Sequence, residues 1–359
     1  MLTAAPQRPR LAYIISTLDA GGAEAQLVNT VNALPDDVDA VVFVLRDQLA
    51  LLQKLENARV RIEVIGLRAR WDLLGWIRLA RELRSFRPRV IHSHMLLSNW
   101  AARAMAPLCG RPRVINHEHG LSKWKGLFVN RVDRATQSLA DRILVVSRAS
   151  RATRIADAGL DPNRVTVLPN AIDWTRFSQV RREPDEFPGT TWGIAARLTW
   201  VKRIDLAMEL LGLCLANGDN VRLLIAGDGP DRAKLKAAAV RLGVDHAVRF
   251  LGHVHDMASF YKRVDMVMLT SSSEDCPMAV LESLATGRFL ATTPVGGVPE
   301  LIRGLHDVQV IDEHDLPATA KALARVPKGF DSSANRAAAE RFDVNAHVRQ
   351  LLDIYGISA

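Results

Sequence analysis

The sequence has few cysteines, no long apolar run and no repeated segment, and each absence excludes a class of protein. Its three cysteines, Cys109, Cys214 and Cys276, are odd in number and far apart among 359 residues, which argues against a disulfide framework and favours a reducing cytoplasm. No segment approaches the roughly 18 apolar residues of a membrane-spanning helix. The opening residues, MLTAAPQRPRLAYIIS, lack a signal-peptide layout. We therefore expect a cytoplasmic globular protein.

Two common nucleotide-binding fingerprints are also missing. Neither the GxGxxG dinucleotide motif nor the GxxxxGK[ST] phosphate loop occurs in the chain, which argues against a dehydrogenase or an ordinary kinase. One Asp-x-Asp is present, Asp37-Val38-Asp39. It lies in a polar turn before a strand, where we expect solvated surface and no metal site.

Positive charge is concentrated in one half of the chain. Residues 1–180 hold 26 Lys and Arg against 16 Asp and Glu, whereas residues 181–359 hold 21 against 23. This excess favours an anionic partner, such as a phospholipid surface, a nucleic acid or a phosphorylated substrate. A solvated arginine-rich surface is the alternative. Because no helix-turn-helix, zinc-finger or aromatic RNA-binding motif occurs, we do not expect nucleic acid to be the partner.

Short apolar segments alternate with helix-like segments along the chain, five such segments in each half. They are LAYIIS, AVVFVL, VIHSH, RVINHEH, RILVVS, TTWGIAA, VRLLIAG, VRFLG, DMVMLTS and RFLATTP. Buried strands that alternate with helices predict parallel sheets covered on both faces. Two such sets predict an α/β protein with two doubly wound, Rossmann-like domains.

The domain boundary is expected in the segment 169–190, which is rich in proline and charge. We predict a first domain over residues 1–180 and a second over residues 181–335. A last helical segment, residues 336–359, is expected to pack back on the first domain. In sheets of this kind, ligands bind beyond the carboxyl ends of the strands, so the loops that follow strands are the candidate sites.

Glycines open two of these loops. Gly21 and Gly22 begin a helix after the first strand, and Gly227 and Gly229 follow the strand VRLLIAG. Glycine lets the backbone approach a ligand closely, and the free N–H groups of a helix start favour anions. A glycine pair at a strand-to-helix turn is common, so these residues are weak indicators by themselves.

A third loop carries two cations five positions apart, Arg197 and Lys202 in RLTWVKRID. Such a pair at a loop-to-helix junction can clamp a diphosphate, because arginine offers a directional fork and lysine a point charge. An exposed basic turn with no ligand is the alternative.

Two strands end in His-x-His, namely VIHSH with His92 and His94, and RVINHEH with His117 and His119. A His-x-His pair can ligate zinc, but no third or fourth ligand is evident in the local sequence, so no metal site is predicted. A buried, hydrogen-bonded histidine is the commoner case. Gly120 directly follows His119, which favours close approach of a ligand at that position.

The stretch SSSEDCPMAVLESLATG sets Glu274 and Glu282 eight positions apart. Pro277 suits a helix start. If the helix begins there, the amides from Cys276 to Ala279 point towards a ligand and the two carboxylates can accept hydrogen bonds from hydroxyls at two places on it. The alternative is a helix-dipole partner at Glu274 and a surface residue at Glu282.

Together these segments resemble one family, the retaining glycosyltransferases of the family-four type, whose GT-B fold has two Rossmann-like domains facing a cleft. The resemblance covers nearly the whole chain, and its most specific element is Glu-x7-Glu with Arg and Lys upstream. The segments that carry it are GGAE, HEHG, LPNAID, ARLTWVK, AGDGP, GHVHD, SSEDCPMAVLESLATG and TPVGGVPEL.

The resemblance implies a role for each candidate residue of the second half. Arg197 and Lys202 would bind the donor diphosphate and stabilise charge on the leaving group. Glu282 would bind the ribose, and Glu274 would bind hydroxyls of the transferred sugar. The backbone around the helix start would assist through Cys276, Pro277, Met278 and Ala279, while Gly227 and Val254 would contribute to donor and base binding.

In the first half, the resemblance implies that His119 contacts the transferred sugar. Gly21 and Gly22 would bring their backbone beside the phosphate, and Asn170 would join the donor site. The expected reaction is transfer of a sugar from a UDP- or GDP-linked donor to a glycan or lipid-linked acceptor, in bacterial envelope polysaccharide synthesis, with neither cofactor nor metal. A nucleotide-sugar epimerase of similar architecture is the alternative, and a non-catalytic binder is disfavoured by the intact set of site residues.

The acceptor is expected on the basic first domain. The segment SKWKGLFVNRVDRATQSLADR mixes apolar and basic side chains, a composition that can lie on an anionic bilayer. We therefore expect a peripheral enzyme on the inner face of the plasma membrane. A core-packing helix with a basic outer face is the alternative. The apolar and basic residues concerned are Trp124, Leu127, Phe128, Val132, Lys123, Lys125, Arg131 and Arg134.

Overall fold

A computed structural model describes residues 8–120 and 126–357 of the chain. The chain folds into two compact units. The first consists of residues 1–171 and 344–359, and the second of residues 172–343. None of the helices in the described ranges combines the length and apolarity that a bilayer crossing requires.

The first unit is built on a seven-stranded parallel sheet with strand order β3-β2-β1-β4-β5-β6-β7. Alternate residues of β1 serve two cores, because Leu11, Tyr13 and Ile15 pack on one face of the sheet while Ala12 and Ile14 pack on the other. The strands are β1 (Arg10–Ile15), β2 (Asp39–Val44), β3 (Val60–Val64), β4 (Val90–His94), β5 (Arg113–Glu118), β6 (Arg142–Val145) and β7 (Val165–Val167).

Helices cover both faces of this sheet. The last helix of the chain contributes Leu351 and Tyr355 to the same core as Leu11 and Tyr13 of β1. The helices are α1 (Gly22–Asn32), α2 (Leu73–Phe86), α3 (Leu96–Met105), α4 (Leu127–Thr136), α5 (Arg148–Ala158) and α14 (Val344–Tyr355).

The second unit repeats the design with a six-stranded sheet of order β10-β9-β8-β11-β12-β13, in which all paired strands are parallel. Its strands are β8 (Thr190–Ala195), β9 (Val221–Ala226), β10 (Val248–Gly252), β11 (Met266–Leu269), β12 (Phe289–Thr292) and β13 (Val308–Val310). Its helices are α6 (Trp174–Ser178), α7 (Ile204–Ala216), α8 (Arg232–Arg241), α9 (Met257–Tyr261), α10 (Met278–Ala285), α11 (Val298–Leu301), α12 (Leu316–Leu323) and α13 (Ser333–Ala339).

The predicted fold class is confirmed, since both sheets are parallel and all ten strands expected from apolar runs are present. Three strands gave no such signal: β3, β7 and β13. Each lies at an edge of its sheet. In β3, VRIEV, every residue retains solvent exposure. An edge strand with one free side need not be continuously apolar, and for that reason these segments escape a search for buried runs.

The unit boundaries differ from the expected ones at both ends. The first unit ends at residue 171 rather than 180. Helix α6 belongs to the second unit, because the indole N–H of Trp174 donates to the carbonyl of Arg336 at 3.0 Å and Phe177 packs edge-on against Tyr261. The final segment joins the first unit from residue 344 rather than 336. Helix α13 stays with the second unit, because the side-chain amide of its Asn335 donates to the carbonyl of Arg288 in that unit.

A buried ion network fixes the helices behind β5 in the first unit. Asp133 of α4 pairs with Arg103 at 3.1 Å and with Arg154, and it accepts from the indole of Trp100 at 2.9 Å. Arg154 also pairs with Glu118 at the end of β5. All four charged side chains are at most 5% exposed. Removing one partner from such a network leaves an uncompensated buried charge, which typically costs about 3–5 kcal/mol.

A second network of ion pairs surrounds Asp185 in the second unit. Its carboxylate pairs with Arg182 at 2.9 Å, Arg222 at 2.5 Å and Lys328 at 3.1 Å. Arg182 also pairs with the buried Asp265 at 2.8 Å. Burial by itself would raise the pKa of Asp185, but hydrogen bonds from Arg182 and Lys328 and the neighbouring positive charges outweigh it and lower that pKa to about 2.

We predict that Asp185→Asn destabilises the protein by about 2 kcal/mol at pH 7. The pKa of this carboxyl is lower in the folded state than the ordinary 3.8. Its contribution is therefore complete above about pH 4 and is lost as the pH falls towards 2. Urea denaturation of wild type and variant from pH 7 to pH 3 measures this difference. Asp245→Asn, at an exposed carboxylate without an ion pair to any described residue, is the control, and equal effects of the two substitutions would contradict the prediction.

Candidate functional site

The order of strands reverses once in each sheet, and the candidate residues gather at these reversals. In the first unit the reversal lies between β1 and β4, and in the second between β8 and β11. At such a point the loops leave the sheet in opposite directions and open a crevice beyond the carboxyl ends of the strands. Gly21 and Gly22 follow β1, His94 ends β4, Arg197 and Lys202 follow β8, and Glu274 follows β11.

Lys202 and Glu274 meet in the second unit. The ammonium nitrogen of Lys202 lies 2.5 Å from Oε1 of Glu274, and the hydroxyl of Ser271 donates to the same oxygen at 2.7 Å. The two loops are also joined by their backbones, since Ser272 N donates to the carbonyl of Val201 at 2.8 Å. The two residues, 72 positions apart in sequence, thus form one charged pair. Ser271, which donates to the carboxylate of this pair, was not predicted from the sequence.

Arg197 lies on the same loop but is not paired. Its side chain is exposed and makes no hydrogen bond or ion pair with any residue that the structure describes. The neighbouring cation Arg203, in contrast, pairs with Glu313 at 2.6 Å. An unpaired guanidinium next to a lysine–glutamate pair leaves this loop able to receive an anion.

The glycines after β9 hold the Arg197 loop in place. A Cβ at Gly227, where φ is +136°, would collide with the carbonyl oxygen of Ala196, and a Cβ at Gly229 would collide with that of Leu198. Leu198 N donates to the carbonyl of Asp228 at 3.0 Å. Glycine is needed here for close contact between two loops of the protein, so the close approach predicted at Gly227 is made to the chain itself.

Glu282 lies on α10 and is not an ordinary surface residue. It is partly buried and accepts a hydrogen bond from the hydroxyl of Tyr261 at 2.8 Å. Burial and the charge of Glu282 together raise the pKa of Tyr261 well above its ordinary value, so this tyrosine stays a hydrogen-bond donor. The sequence did not indicate a role for Tyr261, because a tyrosine in a short helix is usually one of its apolar positions.

Helix α10 begins one residue later than the sequence suggested. Met278 is its first residue and Pro277 its N-cap, with extended backbone (ψ 127°). The N–H groups of Met278 and Ala279 therefore lie in the first turn, where an α-helix offers no internal acceptor. Cys276 lies two residues before the first residue of the helix, and its side chain is buried. Its part in donor binding stays a prediction.

The loop after β10 carries Val254, the residue expected beside a base. Val254 is partly buried, and the loop is fixed at its end by Asp256, which caps α9 through Ala258 N at 3.1 Å and pairs with Arg176 at 2.9 Å. This loop adjoins the Gly227 turn, because Gly227 N donates to the carbonyl of Gly252 at 2.7 Å.

In the first unit, Gly21 and Gly22 form the start of α1. Gly21 is the N-cap and Gly22 is exposed as the first helical residue. A Cβ at Gly21 would collide with the carboxylate of Glu24, which accepts from the hydroxyl of Thr17 at 3.0 Å. The carboxylate of Glu24 thus lies beside the start of α1, in the space that a side chain at position 21 would need.

His119 is held from both sides. Its Nδ1 lies 3.3 Å from Oδ1 of Asn170, and its Nε2 lies 2.8 Å from Nδ1 of His94. Burial lowers the pKa of His119 to about 4, against the opposing effect of the Asn170 hydrogen bond. Burial therefore favours the neutral form of the ring near pH 7. Asn170, almost fully buried, supports His119.

The two His-x-His pairs meet, which corrects the expectation that no third ligand accompanies either pair. Strands β4 and β5 are neighbours in register, with His94 opposite His117. One nitrogen from each of His92, His94 and His117 lies within 4.8 Å of the others, and all three rings are buried. Sequence reasoning treated the pairs separately, because it did not place these two strands side by side in that register.

The expected membrane-facing segment is residues 122–142, of which 122–125, including Trp124, lie outside the described residues. In the described part, Leu127 and Phe128 are more than 70% exposed, while Asp133 is buried in the ion network. A second apolar surface, with no counterpart in the sequence reasoning, lies at the start of α2, where Trp71 is 83% and Leu74 77% exposed.

Comparison with known proteins gives consistent matches for both units. The family model "Glycosyltransferase Family 4" matches residues 20–176, and the model "Glycosyl transferases group 1" matches residues 189–328. The chain is 28% identical over 258 residues to a phosphatidylinositol N-acetylglucosaminyltransferase chain of Arabidopsis thaliana, covering 68% of this chain and 56% of that protein. It is 29% identical over 302 residues to D-inositol 3-phosphate glycosyltransferase of Stackebrandtia nassauensis, covering 74% and 68%.

Among solved structures, Anabaena HepE in complex with UDP-glucose superimposes with a TM-score of 0.82, at 18% identity, over 97% of this chain and 99% of that one. This likeness concerns the fold. The chain spans about half the length of the first curated relatives that it matches, between 40% and 56%.

We predict that Gly227→Ala lowers the melting temperature by about 5 °C or more, because the new Cβ overlaps the Ala196 carbonyl and also meets the strained backbone. Differential scanning calorimetry measures the shift. Gly218→Ala is the matched control, since its φ is +85° but nothing lies within 4 Å of the added Cβ. An equal shift in both variants would show that backbone strain alone, and not the contact between loops, makes Gly227 necessary.

Proposed function

Since this chain belongs to the glycosyl transferases of group 1 and family four, we propose that it transfers a sugar from a nucleoside-diphosphate donor to a glycan or lipid-linked acceptor. The observation that carries this proposal is the contact between Lys202 and Glu274, with the unpaired Arg197 on the same loop. A cation and a carboxylate side by side match the end of a nucleotide sugar at which the diphosphate meets the hydroxyls of the transferred sugar.

The donor contacts follow from the chemistry of each group. Arg197 and Lys202 neutralise the diphosphate, and Glu274 accepts hydrogen bonds from hydroxyls of the transferred sugar. The first amides of α10, from Met278 and Ala279, add donors at the positive end of the helix. Glu282, held by Tyr261, accepts from the ribose, and the loop around Val254 covers the base. UDP is the favoured nucleotide, since HepE was solved with UDP-glucose.

The reaction we propose retains the configuration at the anomeric carbon. The bond from this carbon to the diphosphate oxygen breaks, and the acceptor hydroxyl forms the new bond on the same face. Its proton passes to the departing phosphate oxygen, and the nucleoside diphosphate leaves. Positive groups aimed at the departing oxygen lower the barrier, because charge develops there in the transition state. Arg197 and Lys202 supply that charge in this proposal, and no metal at the diphosphate is required.

We assign the first unit to the acceptor and to the remaining sugar contacts. His119 lies after the end of β5, and His94 and Asn170 hold its neutral ring in one orientation. In this proposal the ring contacts the sugar. Gly21 and Gly22 offer the amides at the start of α1 to a phosphate. The names of the relatives favour an acceptor that carries phosphate or lipid, since one acts on phosphatidylinositol and another on D-inositol 3-phosphate.

We also propose peripheral binding to the inner face of an anionic membrane. The first unit exposes Trp71, Leu73, Leu74 and Ile77 at the start of α2, and Leu127 and Phe128 at the start of α4. Exposed arginines accompany the first group at positions 68, 70, 78 and 81. Apolar side chains that enter the lipid interface, next to cations that meet anionic headgroups, are the two elements of reversible membrane attachment.

The donor assignment predicts which cations a nucleotide sugar needs. UDP-glucose, GDP-mannose, ADP-glucose and TDP-glucose are each tested for a rise in melting temperature. We expect one of them, most simply UDP-glucose, to stabilise wild type, and Arg197→Ala and Lys202→Ala to lose the shift. With a membrane-lipid extract as acceptor, Lys202→Ala and Glu274→Ala should lower kcat by about 10²–10³-fold.

The matched control is Arg203→Ala, because Arg203 adjoins Lys202 but pairs with Glu313, and it should behave as wild type. Circular dichroism establishes that each variant is folded. Wild-type transfer by folded Lys202→Ala or Glu274→Ala would contradict the catalytic assignment. Turnover of the donor without acceptor, with release of an epimer, would point instead to an epimerase.

The membrane proposal is tested by flotation with vesicles of phosphatidylcholine and phosphatidylglycerol. We expect wild type to float at low salt and to be released at about 0.5 M salt, because screening weakens attraction to anionic lipid. A Trp71→Ser/Leu74→Ser variant should lose most of the binding. Val240→Ser, at a residue of the second unit that is 66% exposed, serves as control. Absence of flotation at low salt would contradict membrane attachment.

A further inference from the structure

The buried histidines of β4 and β5 are joined by hydrogen bonds that determine where their protons lie. Oδ1 of Asn170 is an acceptor, so the Nδ1 of His119 must donate to it, which leaves a lone pair on Nε2 of His119. That lone pair accepts from Nδ1 of His94. The proton of His94 is therefore on Nδ1, and its Nε2 carries a bare lone pair.

The same reasoning applies to His92. The hydroxyl of Tyr355 donates to the hydroxyl of Tyr13 at 3.4 Å and lies 2.6 Å from Nδ1 of His92. When the proton of Tyr355 is directed at Tyr13, the oxygen of Tyr355 accepts from Nδ1 of His92. In that arrangement Nε2 of His92 is a second bare lone pair.

These two nitrogens and His117 lie close together in the interior, with ring planes 11–37° apart. The ring centroids of His92, His94 and His117 are 4.4, 5.4 and 5.4 Å apart. Each ring is about 1% exposed. Nε2 of His92 and Nε2 of His94 have no hydrogen-bond partner among the described residues. His117 makes no hydrogen bond of good geometry there, and its candidate partner is the backbone of Leu168.

An unpaired arrangement of this kind is unfavourable. A buried polar atom without a partner lowers the stability of the folded protein by about 1–3 kcal/mol. Here several nitrogens with lone pairs lie close to one another. A proton donor or a cation between them removes that cost. No Lys or Arg side chain is paired to these nitrogens in the described part of the chain.

We propose that His92, His94 and His117 bind one divalent transition metal ion, with Zn²⁺ as the preferred ion. Three imidazole nitrogens and one water complete a tetrahedral zinc sphere, with Zn–N bonds of about 2.0–2.1 Å. Nitrogens within 4.8 Å of one another reach that geometry when each nitrogen moves inward by about 1 Å and the rings, whose planes lie 11–37° apart, turn towards the ion. Imidazole ligands suit zinc better than magnesium or calcium.

The hydrogen bonds around the cluster are those that metal-bound histidines use. A ligating imidazole commonly donates its other N–H to a neighbouring acceptor, which fixes the ring and its tautomer. Tyr355 is that acceptor for His92, and His119 is that acceptor for His94. The ion would consequently orient His119 through His94. The site lies wholly in the first unit and does not rest on the proposed transfer reaction.

The experiment is metal analysis of the full-length protein without a polyhistidine tag, since such a tag binds the same ions. After dialysis against metal-free buffer, we expect about one zinc per chain in wild type and less than a fifth of that in His92→Gln and His117→Asn. The controls are His253→Gln and His255→Gln, whose neighbouring rings in the second unit are exposed. They should keep the ion.

A second measurement uses wild type alone, in case the variants fail to fold. Protein refolded with Co²⁺ should show the visible absorption of a tetrahedral cobalt site. Protein refolded with Zn²⁺ should melt about 5 °C or more above protein refolded with a chelator, because an ion that binds only the folded state stabilises it. Absence of stoichiometric metal and of any melting shift would overturn the proposal in favour of a bound water. Equal metal content in the His92 and His253 variants would overturn it by placing the ion elsewhere.

Discussion

A strand that is buried on both faces carries mostly apolar side chains, so polar side chains concentrate towards the end at which it leaves the sheet. Both sheets of this protein are of that kind, and all their paired strands run parallel. Their carboxyl ends consequently lie on one edge of each sheet, and residues distant in sequence become neighbours there. Lys202 with Glu274, and His94 with His117, are two results of this one constraint.

The loops at that edge are held by the protein before any ligand arrives. Backbone hydrogen bonds join the Lys202 and Glu274 loops, and the glycine turn after β9 packs closely against the Arg197 loop. In the first unit, Asn170 and His94 fix His119 from two sides. Pre-arranged polar groups need little reorganisation when charge develops next to them, and this property makes such sites effective in catalysis.

Much of this could be predicted from the sequence, and the failures have physical causes. Apolar runs located ten strands, and the spacing of Arg197, Lys202, Glu274 and Glu282 indicated a candidate site in the second unit. Edge strands such as β3 were missed because a half-exposed strand need not be continuously apolar. The histidine cluster was missed because it depends on the register between β4 and β5, which no local pattern encodes. Tyr261 was missed because a buried tyrosine has the same sequence pattern as an apolar residue. Only the structure shows that its hydroxyl donates to Glu282.

The network around Asp133 restricts how α4 can behave at a surface. This one carboxylate neutralises two interior guanidinium groups and holds the indole of Trp100, while Leu127 and Phe128 point outward from the same helix. If α4 were drawn away from the unit, Arg103 and Arg154 would both lose their shared counter-charge, at a cost of several kcal/mol. The helix is therefore fixed to the unit by this network. Its exposed residues Leu127 and Phe128 can change position only together with the unit as a whole.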